Sequence, residues 1–257
     1  MTINAKPIIA WDNLLMASGV TLSVTTEALG FSKENLQDWR NYLAWKGTGT
    51  SEQTITLDAG SGDTIKASCL GLSGHDLFTQ GVTNLALKYS DGSGWTDCFT
   101  PFTPASDKTL LKTFAEQEHR YFKLVIPTGY TAAPSIGVLF IGSYLQFPAW
   151  PAGKIDPDHY KPETLGSISR LGHYLGGVSN FAERKFALNF DDLAGSWVAA
   201  NWDPFFEAHA LEPFLLAVEI EVHPEWTFYV FLDDPEHSVL LGPNSSSLGF
   251  KVKGPKE

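Results

Sequence analysis

Apolar and polar residues alternate with a period of two along several short segments of this chain. In 54–60 the side chains of Ile55 and Leu57 share one side, and a second alternating segment covers 85–89. Successive side chains of a strand point to opposite faces, so each segment predicts a half-buried β-strand. A run of Ser, Asp and Gly over 90–94 then predicts a tight turn.

Two more apolar segments predict strands before residue 148. Residues 120–126 alternate, whereas residues 136–147 are apolar on both sides, as is typical of a strand buried on both faces. The chain also contains 23 glycines and 15 prolines, and 13% of its residues are aromatic. This composition favours strands and turns over long helices, so we predict a mainly β protein.

The alternating pattern stops at a proline-rich segment that predicts a domain boundary. Pro148 and Pro151 lack backbone donors, and no periodicity continues through Pro157 and Pro162. We therefore predict an N-terminal domain over 1–148, a linker over 149–162 and a C-terminal domain over 163–257.

The C-terminal domain is predicted to be small and β-rich, with one short helix. Strands are expected over 184–190, 215–223, 226–232 and 248–252, with a turn at 223–225. We place the helix at 203–211, because Asp203 can cap a helix and Pro204 suits its first position.

Charge and composition exclude several classes of function. The net charge is −11, whereas phosphate binding needs a basic surface, so we expect no direct nucleic-acid binding. Residues 1–150 carry 10 Lys and Arg against 13 Asp and Glu (−3), and residues 151–257 carry 8 against 16 (−8). No apolar run approaches the roughly 20 residues of a membrane helix, and the N-terminus lacks a signal-peptide pattern, so we expect no membrane insertion.

The sequence contains no motif that predicts an active site. It lacks a GxSxG, HExxH, P-loop or dinucleotide-binding pattern. Ser73, His75 and Asp76 are close in sequence, but the members of a hydrolytic triad converge from separate segments. We expect His75 or Asp76 to hydrogen-bond the backbone of a turn, and we predict no enzymatic activity and no cofactor.

Three groups of acidic and histidine residues could in principle offer ligands to a metal ion. Solvent-facing strands and loops are normally polar as well, so we interpret all three as solvated surface and predict no metal. They are Glu219, Glu221 and His223 on one strand face; Asp156, Asp158 and His159; and Asp233, Asp234, Glu236 and His237.

Aromatic residues mark two candidate binding surfaces, because rings beside polar groups are common where proteins grip sugars and other proteins. The candidate ligand or partner surface comprises Phe31, Trp39, Tyr42 and Trp45. The candidate assembly surface comprises Phe205, Phe206, Trp226 and Phe228. In the alternative interpretation Trp39 and Trp45 fill the core, and the rings of the C-terminal domain all pack inside a monomer or against the first domain.

Four segments, in order, resemble discoidin-like, galactose-binding-type β-sandwiches. They are 54–60, 70–77, 87–95 and 119–126, which contain a strand ending in Asp-Ala-Gly, a Gly-His-Asp-Leu motif, a Ser-Asp-Gly…Trp hairpin and an Arg-Tyr-Phe-Lys-Leu strand. The family has Asp-Leu-Gly in the first motif and a flanking cysteine pair, which Cys69 and Cys98 do not replace. The resemblance covers about residues 8–148 and implies a jelly-roll sandwich that binds carbohydrate or neighbouring proteins.

The Gly-His-Asp-Leu form is similar to that of tail-tip proteins of long-tailed bacteriophages. The layout of residues 151–257 also resembles the ring-forming hub fold of tail-tube and distal-tail proteins. The resemblance implies a structural component of a siphophage tail tip or baseplate, located in the virion and assembled in the host cytoplasm. Its implied partners are copies of itself in a ring (a hexamer, with a trimer as the alternative), other tail-tip, tail-tube and baseplate hub proteins, and cell-surface carbohydrate.

Two other classes of function stay open. One is a stand-alone carbohydrate-binding module protein of bacterial origin, which would bind sugar as a monomer. The other is a hydrolase with an accessory sandwich domain, which would need a catalytic group within 151–257.

Overall fold

The computed structural model describes residues 6–157, 160–233, 235, 239–242 and 244–256. The described residues form two compact units, Ile8–Leu145 and Gln146–Glu257, and the second includes Lys6 and Pro7. Both units consist mainly of antiparallel strands, which confirms the predicted mainly β class. Within the described residues no helix is long and apolar enough to cross a membrane.

The first unit contains two antiparallel sheets. One has the strand order β1-β10-β5-β8, with β3 also paired to β10, and the other has the order β2-β4-β9-β6-β7. Two short 3-10 helices, Leu14–Met16 and Lys33–Gln37, connect strands. The strands are β1 Ile8–Asn13, β2 Thr21–Val24, β3 Trp45–Lys46, β4 Gln53–Asp58, β5 Ile65–His75, β6 Ala86–Ser90, β7 Thr96–Asp97, β8 Leu110–His119, β9 Tyr121–Ile126 and β10 Ser135–Gln146.

Side chains from both sheets meet in one hydrophobic core, so the first unit is a β-sandwich. Ile55 and Leu57 of β4 lie in this core, as their alternation predicts, and so do Leu72 of β5 and Leu139 of β10. All four are fully buried. β10 is buried at most positions on both faces, as its continuous apolar run predicts.

The second unit has a sheet with the strand order β11-β12-β16-β14-β13, and β15 also pairs with β16. β11 begins at Tyr160, inside the segment that the sequence predicts to be a linker. The strands are β11 Tyr160–Ile168, β12 Tyr174–Ala194, β13 Phe214–Glu219, β14 His223–Leu232, β15 Val239–Gly242 and β16 Ser245–Pro255.

The helical segment of the second unit starts earlier than its sequence predicts. An α-helical turn over Gly195–Trp197 and a π-helical turn over Val198–Trp202 lead directly into the helix Asp203–His209. The prediction that Asp203 caps the helix is therefore wrong, because the preceding residue, Trp202, is already helical (φ −74°, ψ −46°). Val198 and Trp202, four residues apart, bury one side of this first part.

The hairpin that follows has its turn at 220–222 rather than at the predicted 223–225. β13 ends at Glu219, which pairs directly with His223 at the start of β14. Val222 is 44% exposed in the turn, although the alternation places it inside. Five consecutive buried residues, Phe214–Val218, carry no alternation that could fix where the strand ends.

Candidate functional site

The structure divides the aromatic residues that the sequence groups into one ligand surface. Trp45 is fully buried, and its Nε1 donates to the Thr26 carbonyl at 3.0 Å. Phe31, Trp39 and Tyr42 are 41%, 51% and 74% exposed. Trp45 therefore fills the core, whereas Trp39 and Tyr42 lie on the surface of one loop, residues 38–44.

Two glycines hold the backbone of this loop against the sandwich. A Cβ at Gly137 of β10 would lie 2.2 Å from the Asn41 carbonyl oxygen, and one at Gly74 of β5 would lie 2.5 Å from it. The Asn35 side chain also donates to the Ala44 carbonyl at 2.8 Å. These contacts hold the loop backbone close to β5 and β10.

Arg40, which neighbours both exposed rings, forms an ion pair with Asp38. Arg40 Nε donates to Asp38 Oδ1 at 2.9 Å, and the Arg40 backbone N–H donates to the same oxygen at 2.9 Å. The Arg40 guanidinium lowers the pKa of the Asp38 carboxyl, and the adjacent Asp38 and Tyr42 raise the pKa of Arg40. We call Asp38, Trp39, Arg40 and Tyr42 the loop patch. The carbon Cζ of Arg40 is 6.0 Å from the Trp39 ring centroid.

Phe31 has a different environment from the loop patch. It follows a turn in which its N–H donates to the Ala28 carbonyl at 2.9 Å, and Lys46 Nζ is 5.9 Å from its ring centroid.

The Ser73-His75-Asp76 group takes part in structural hydrogen bonds, as expected for a strand ending in a turn. Thr109 Oγ1 donates to buried Ser73 Oγ at 2.8 Å. His75 Nε2 is 3.0 Å from the Lys108 carbonyl, and Asp76 Oδ1 accepts the Ser135 N–H at 2.7 Å. The predicted backbone hydrogen bonds of His75 and Asp76 are confirmed.

The predicted strand face of Glu219, Glu221 and His223 does not form. Glu221 lies in the turn between β13 and β14, because β13 ends at Glu219. His223 Nδ1 is instead 2.9 Å from Glu225 Oε1. Among the described residues no group of three or more His, Cys, Asp and Glu could hold a metal ion. Five candidates from the other two groups, Asp158, His159, Asp234, Glu236 and His237, lie outside the described residues.

The predicted assembly surface is half buried. Phe205 and Phe228 are 0% and 5% exposed, so neither can form part of a surface. The Phe205 ring packs edge-on against Phe214 at 5.1 Å and beside Trp202 at 5.1 Å. The domain hides more rings than its size suggests because they pack against each other in this core. Phe206 and Trp226 are partly exposed.

Sequence analysis missed an exposed apolar hairpin in the second unit. We call residues 160–181, from β11 and the first part of β12, the hairpin arm. β12 pairs with β16 only from Glu183 onward. The arm, which precedes Glu183, is therefore a two-stranded ribbon of β11 and β12. Its exposed apolar side chains, 57% to 84% exposed, are Ile168, Leu171, Tyr174, Leu175, Val178 and Phe181. Glycines interrupt the sequence between these apolar residues, so the segment shows no regular alternation of apolar and polar positions.

No family model matches the sequence, and no curated protein matches it. Solved structures do resemble it. A family 32 carbohydrate-binding module of Clostridium perfringens, in complex with galactose, is 16% identical with a TM-score of 0.42, covering 54% of this chain and 99% of that chain. A chitosan-binding module from Paenibacillus sp. IK-5 is 16% identical with a TM-score of 0.41, covering 51% and 98%.

A GH29 fucosidase of Ruminococcus gnavus, in complex with fucose, is 19% identical with a TM-score of 0.43, and the match covers 52% of this chain. The chain spans less than a third of the length of the fucosidases that it matches. At these identities and TM-scores the likeness says nothing about ligands or partners of this chain. Nothing in these comparisons shows a phage tail protein.

Proposed function

We propose that the first unit, residues 8–145, is a carbohydrate-binding module and that the loop patch contacts the sugar. The observation that carries this proposal is the exposure of Trp39 and Tyr42, 51% and 74%, beside Arg40, which pairs with Asp38. Exposed rings on a loop that two close glycine contacts hold in place are poorly explained as packing.

The chemistry of the loop patch fits a neutral sugar. The apolar C–H face of a pyranose can stack on an aromatic ring, while its hydroxyls need both donors and acceptors at the edge of that ring. Arg40 donates through Nε and Nη2 to Asp38 and also interacts with the Tyr42 side chain, and the remaining N–H groups of its guanidinium can meet a ligand. The ion pair has no net charge, so it offers little preference for a charged ligand.

Substitution of Trp39 tests this site. Trp39→Ala should weaken binding of the full chain to an immobilised neutral glycan, selected from an array with the wild-type protein, by roughly tenfold or more. Trp150→Ala is the matched control, because Trp150 is 44% exposed and lies in the other unit. It should bind like the wild type in titration calorimetry.

Two results would contradict the proposal. The first is that the wild-type chain retains no neutral glycan on the array. The second is that Trp39→Ala and Tyr42→Ala both bind as tightly as Trp150→Ala, which would place any sugar site elsewhere.

As a second candidate function, we propose that the chain is a ring subunit of a phage tail tip and that the hairpin arm joins one copy to the next. The observation that favours it is the set of exposed apolar side chains on the arm, because an isolated two-stranded ribbon is at best marginally stable in water. A covering partner would remove this apolar surface from solvent.

Charge supports a second copy as that partner. The arm carries Lys161 and Arg170 against one acid, Glu163, whereas residues 151–257 as a whole have a net charge of −8. The helix end of the second unit offers a complementary surface, where Leu211 is 88% exposed beside Glu212. Contact between two different surfaces of identical chains closes into a ring or extends into a filament.

Light scattering of the full chain tests self-assembly. The wild type should form oligomers, and Leu171→Asp at the tip of the arm should shift them to monomers. Val222→Asp is the matched control, since Val222 is an exposed apolar turn residue of the same unit. A wild type that stays monomeric at high concentration would contradict the ring assignment. Equal mass for Leu171→Asp and the wild type would contradict the role of the arm.

A further inference from the structure

A second surface of the sandwich, distinct from the loop patch, places two lysines on neighbouring strands. On the five-stranded sheet, Lys123 of β9 pairs in register with Thr56 of β4 on one side and with Lys88 of β6 on the other. Phe122 and Leu124, the neighbours of Lys123, point into the core. Lys123 and Lys88 therefore stand side by side on the outer face of the sheet.

The two lysines differ in how their charge is balanced. Lys88 Nζ is 2.8 Å from Asp97 Oδ1, with which it pairs across β6 and β7. In the part of the chain that the structure describes, no carboxylate lies within ion-pairing distance of Lys123. Burial has the largest effect on the pKa of Lys123 and lowers it, the carboxylate of Glu52 raises it, and the neighbouring Lys88 lowers it least. Like charges directly opposite each other on neighbouring strands destabilise a sheet.

Two aromatic rings lie beside this cation. Lys123 Nζ is 3.8 Å from the ring centroid of Trp95, which remains 41% exposed. The rings of Trp95 and Tyr121 are 6.2 Å apart, and the Arg120 guanidinium lies 4.6 Å from the Tyr121 ring. Asp97 and Asp58 pair with Lys88 and Arg120, so the surface combines an exposed indole, a second ring and Lys123, which has no ion-pair partner among the described residues.

We propose that this surface, Lys88, Trp95, Tyr121 and Lys123, binds an acidic sugar residue of a polysaccharide. A carboxylate or sulfate would neutralise Lys123, and the sugar ring that carries it would lie against the exposed part of Trp95. A free inorganic anion would satisfy the lysine alone, and it would leave the two rings without a role. This site is independent of the neutral-sugar site proposed for the loop patch.

Affinity electrophoresis of the full chain with polygalacturonate and with chondroitin sulfate tests the proposal. The wild type should be retarded by at least one of them, and added NaCl should weaken that binding. Lys123→Gln and Trp95→Ala should each weaken it about tenfold or more. Lys112→Gln is the matched control, since Lys112 Nζ also lies over a ring, 5.0 Å from the Phe102 centroid.

The outcomes separate this site from the loop patch. Trp39→Ala should leave polygalacturonate and chondroitin sulfate binding unchanged, even if it abolishes binding of a neutral glycan. Absence of wild-type binding to both acidic polymers would overturn the proposal. So would equal losses for Lys123→Gln and Lys112→Gln, or inorganic polyphosphate binding that Trp95→Ala does not change, because either would indicate nonspecific charge attraction.

Discussion

At the scale of single residues, the environment of His75 predicts how the stability of the first unit depends on pH. The side chain is 5% exposed at the end of β5, and its Nε2 donates to the Lys108 carbonyl at 3.0 Å. Burial lowers the pKa of His75, and the nearby carboxylate of Asp107, 3.9 Å from Nδ1, opposes this only in part. The folded protein therefore keeps His75 neutral where the unfolded chain would protonate it.

The stability of the first unit should fall on mild acidification because of this residue. The folded pKa lies below the ordinary value of 6.5, so the unfolded state binds the extra proton as the pH drops below 6.5. The His75 contribution is complete above about pH 7 and declines by at most about 1.4 kcal/mol per pH unit below the ordinary pKa. Urea unfolding of the wild type between pH 7.5 and 5.5 measures this slope.

The variant His75→Gln isolates the effect, because a glutamine amide can still donate to the Lys108 carbonyl and does not titrate. Its unfolding free energy should change less between pH 7.5 and 5.5 than that of the wild type. Identical slopes for both proteins would show that His75 does not control this pH dependence.

Trp39 and Trp45 show what residue types in sequence can predict about the candidate site. Both lie in the same irregular stretch, and the aromatic-rich composition correctly marks that stretch as unusual. Which ring is buried depends on the β3 pairing of Trp45 with Ile136, a contact between residues far apart in sequence. Composition cannot supply such a contact, so Trp45 and Trp39 could not be told apart before the fold was known.

At the scale of elements, the loop patch depends on how closely a loop can approach a strand. Gly74 has φ +62°, and a Cβ there would lie 2.5 Å from the Asn41 carbonyl oxygen. Gly74→Ala should therefore lower the unfolding free energy by about 1–3 kcal/mol more than Gly81→Ala does. Gly81 has a similar φ of +74° and open space around it, so the difference isolates the steric contact.

Gly74→Ala and Gly81→Ala should also differ in their affinity for the glycan. Gly74→Ala has to push Asn41 away from β5, which moves Trp39 and Tyr42 with the loop. Gly81→Ala leaves the loop in place. Urea titrations followed by circular dichroism measure stability, and the glycan assay measures binding. Equal destabilisation by the two substitutions would mean that the contact with Asn41 contributes nothing.

Alternation predicts elements well where one face is buried and the other solvated. β4 and β9 fit that description, and both lie within a residue or two of their predicted bounds. The π-helical turn Val198–Trp202 has no such signature, since its burial follows from aromatic packing with the ring of Phe250, 4.9 Å from Trp202. The end of β13 is likewise set by tertiary burial on both faces rather than by local pattern.

At the scale of the whole molecule, we expect the first unit to fold without the second. Residues 8–145 contain a core drawn from both sheets of the sandwich, with Leu124 of β9 fully buried in it. A sandwich of this size buries enough apolar surface to fold alone. The loop patch and the proposed acidic-sugar surface both belong to this unit, so their binding should not need the second unit.

The fragment 8–145 should therefore unfold cooperatively, with coincident urea transitions by circular dichroism and by tryptophan fluorescence. Leu124→Ala should lower its unfolding free energy by about 2–5 kcal/mol, because the substitution leaves a cavity in the shared core. Phe78→Ala is the control: Phe78 is 53% exposed, so its loss should matter by no more than about 0.5 kcal/mol. Transitions that differ between the two probes, or equal effects of the two substitutions, would show that the sandwich needs residues 146–257 to hold a native core.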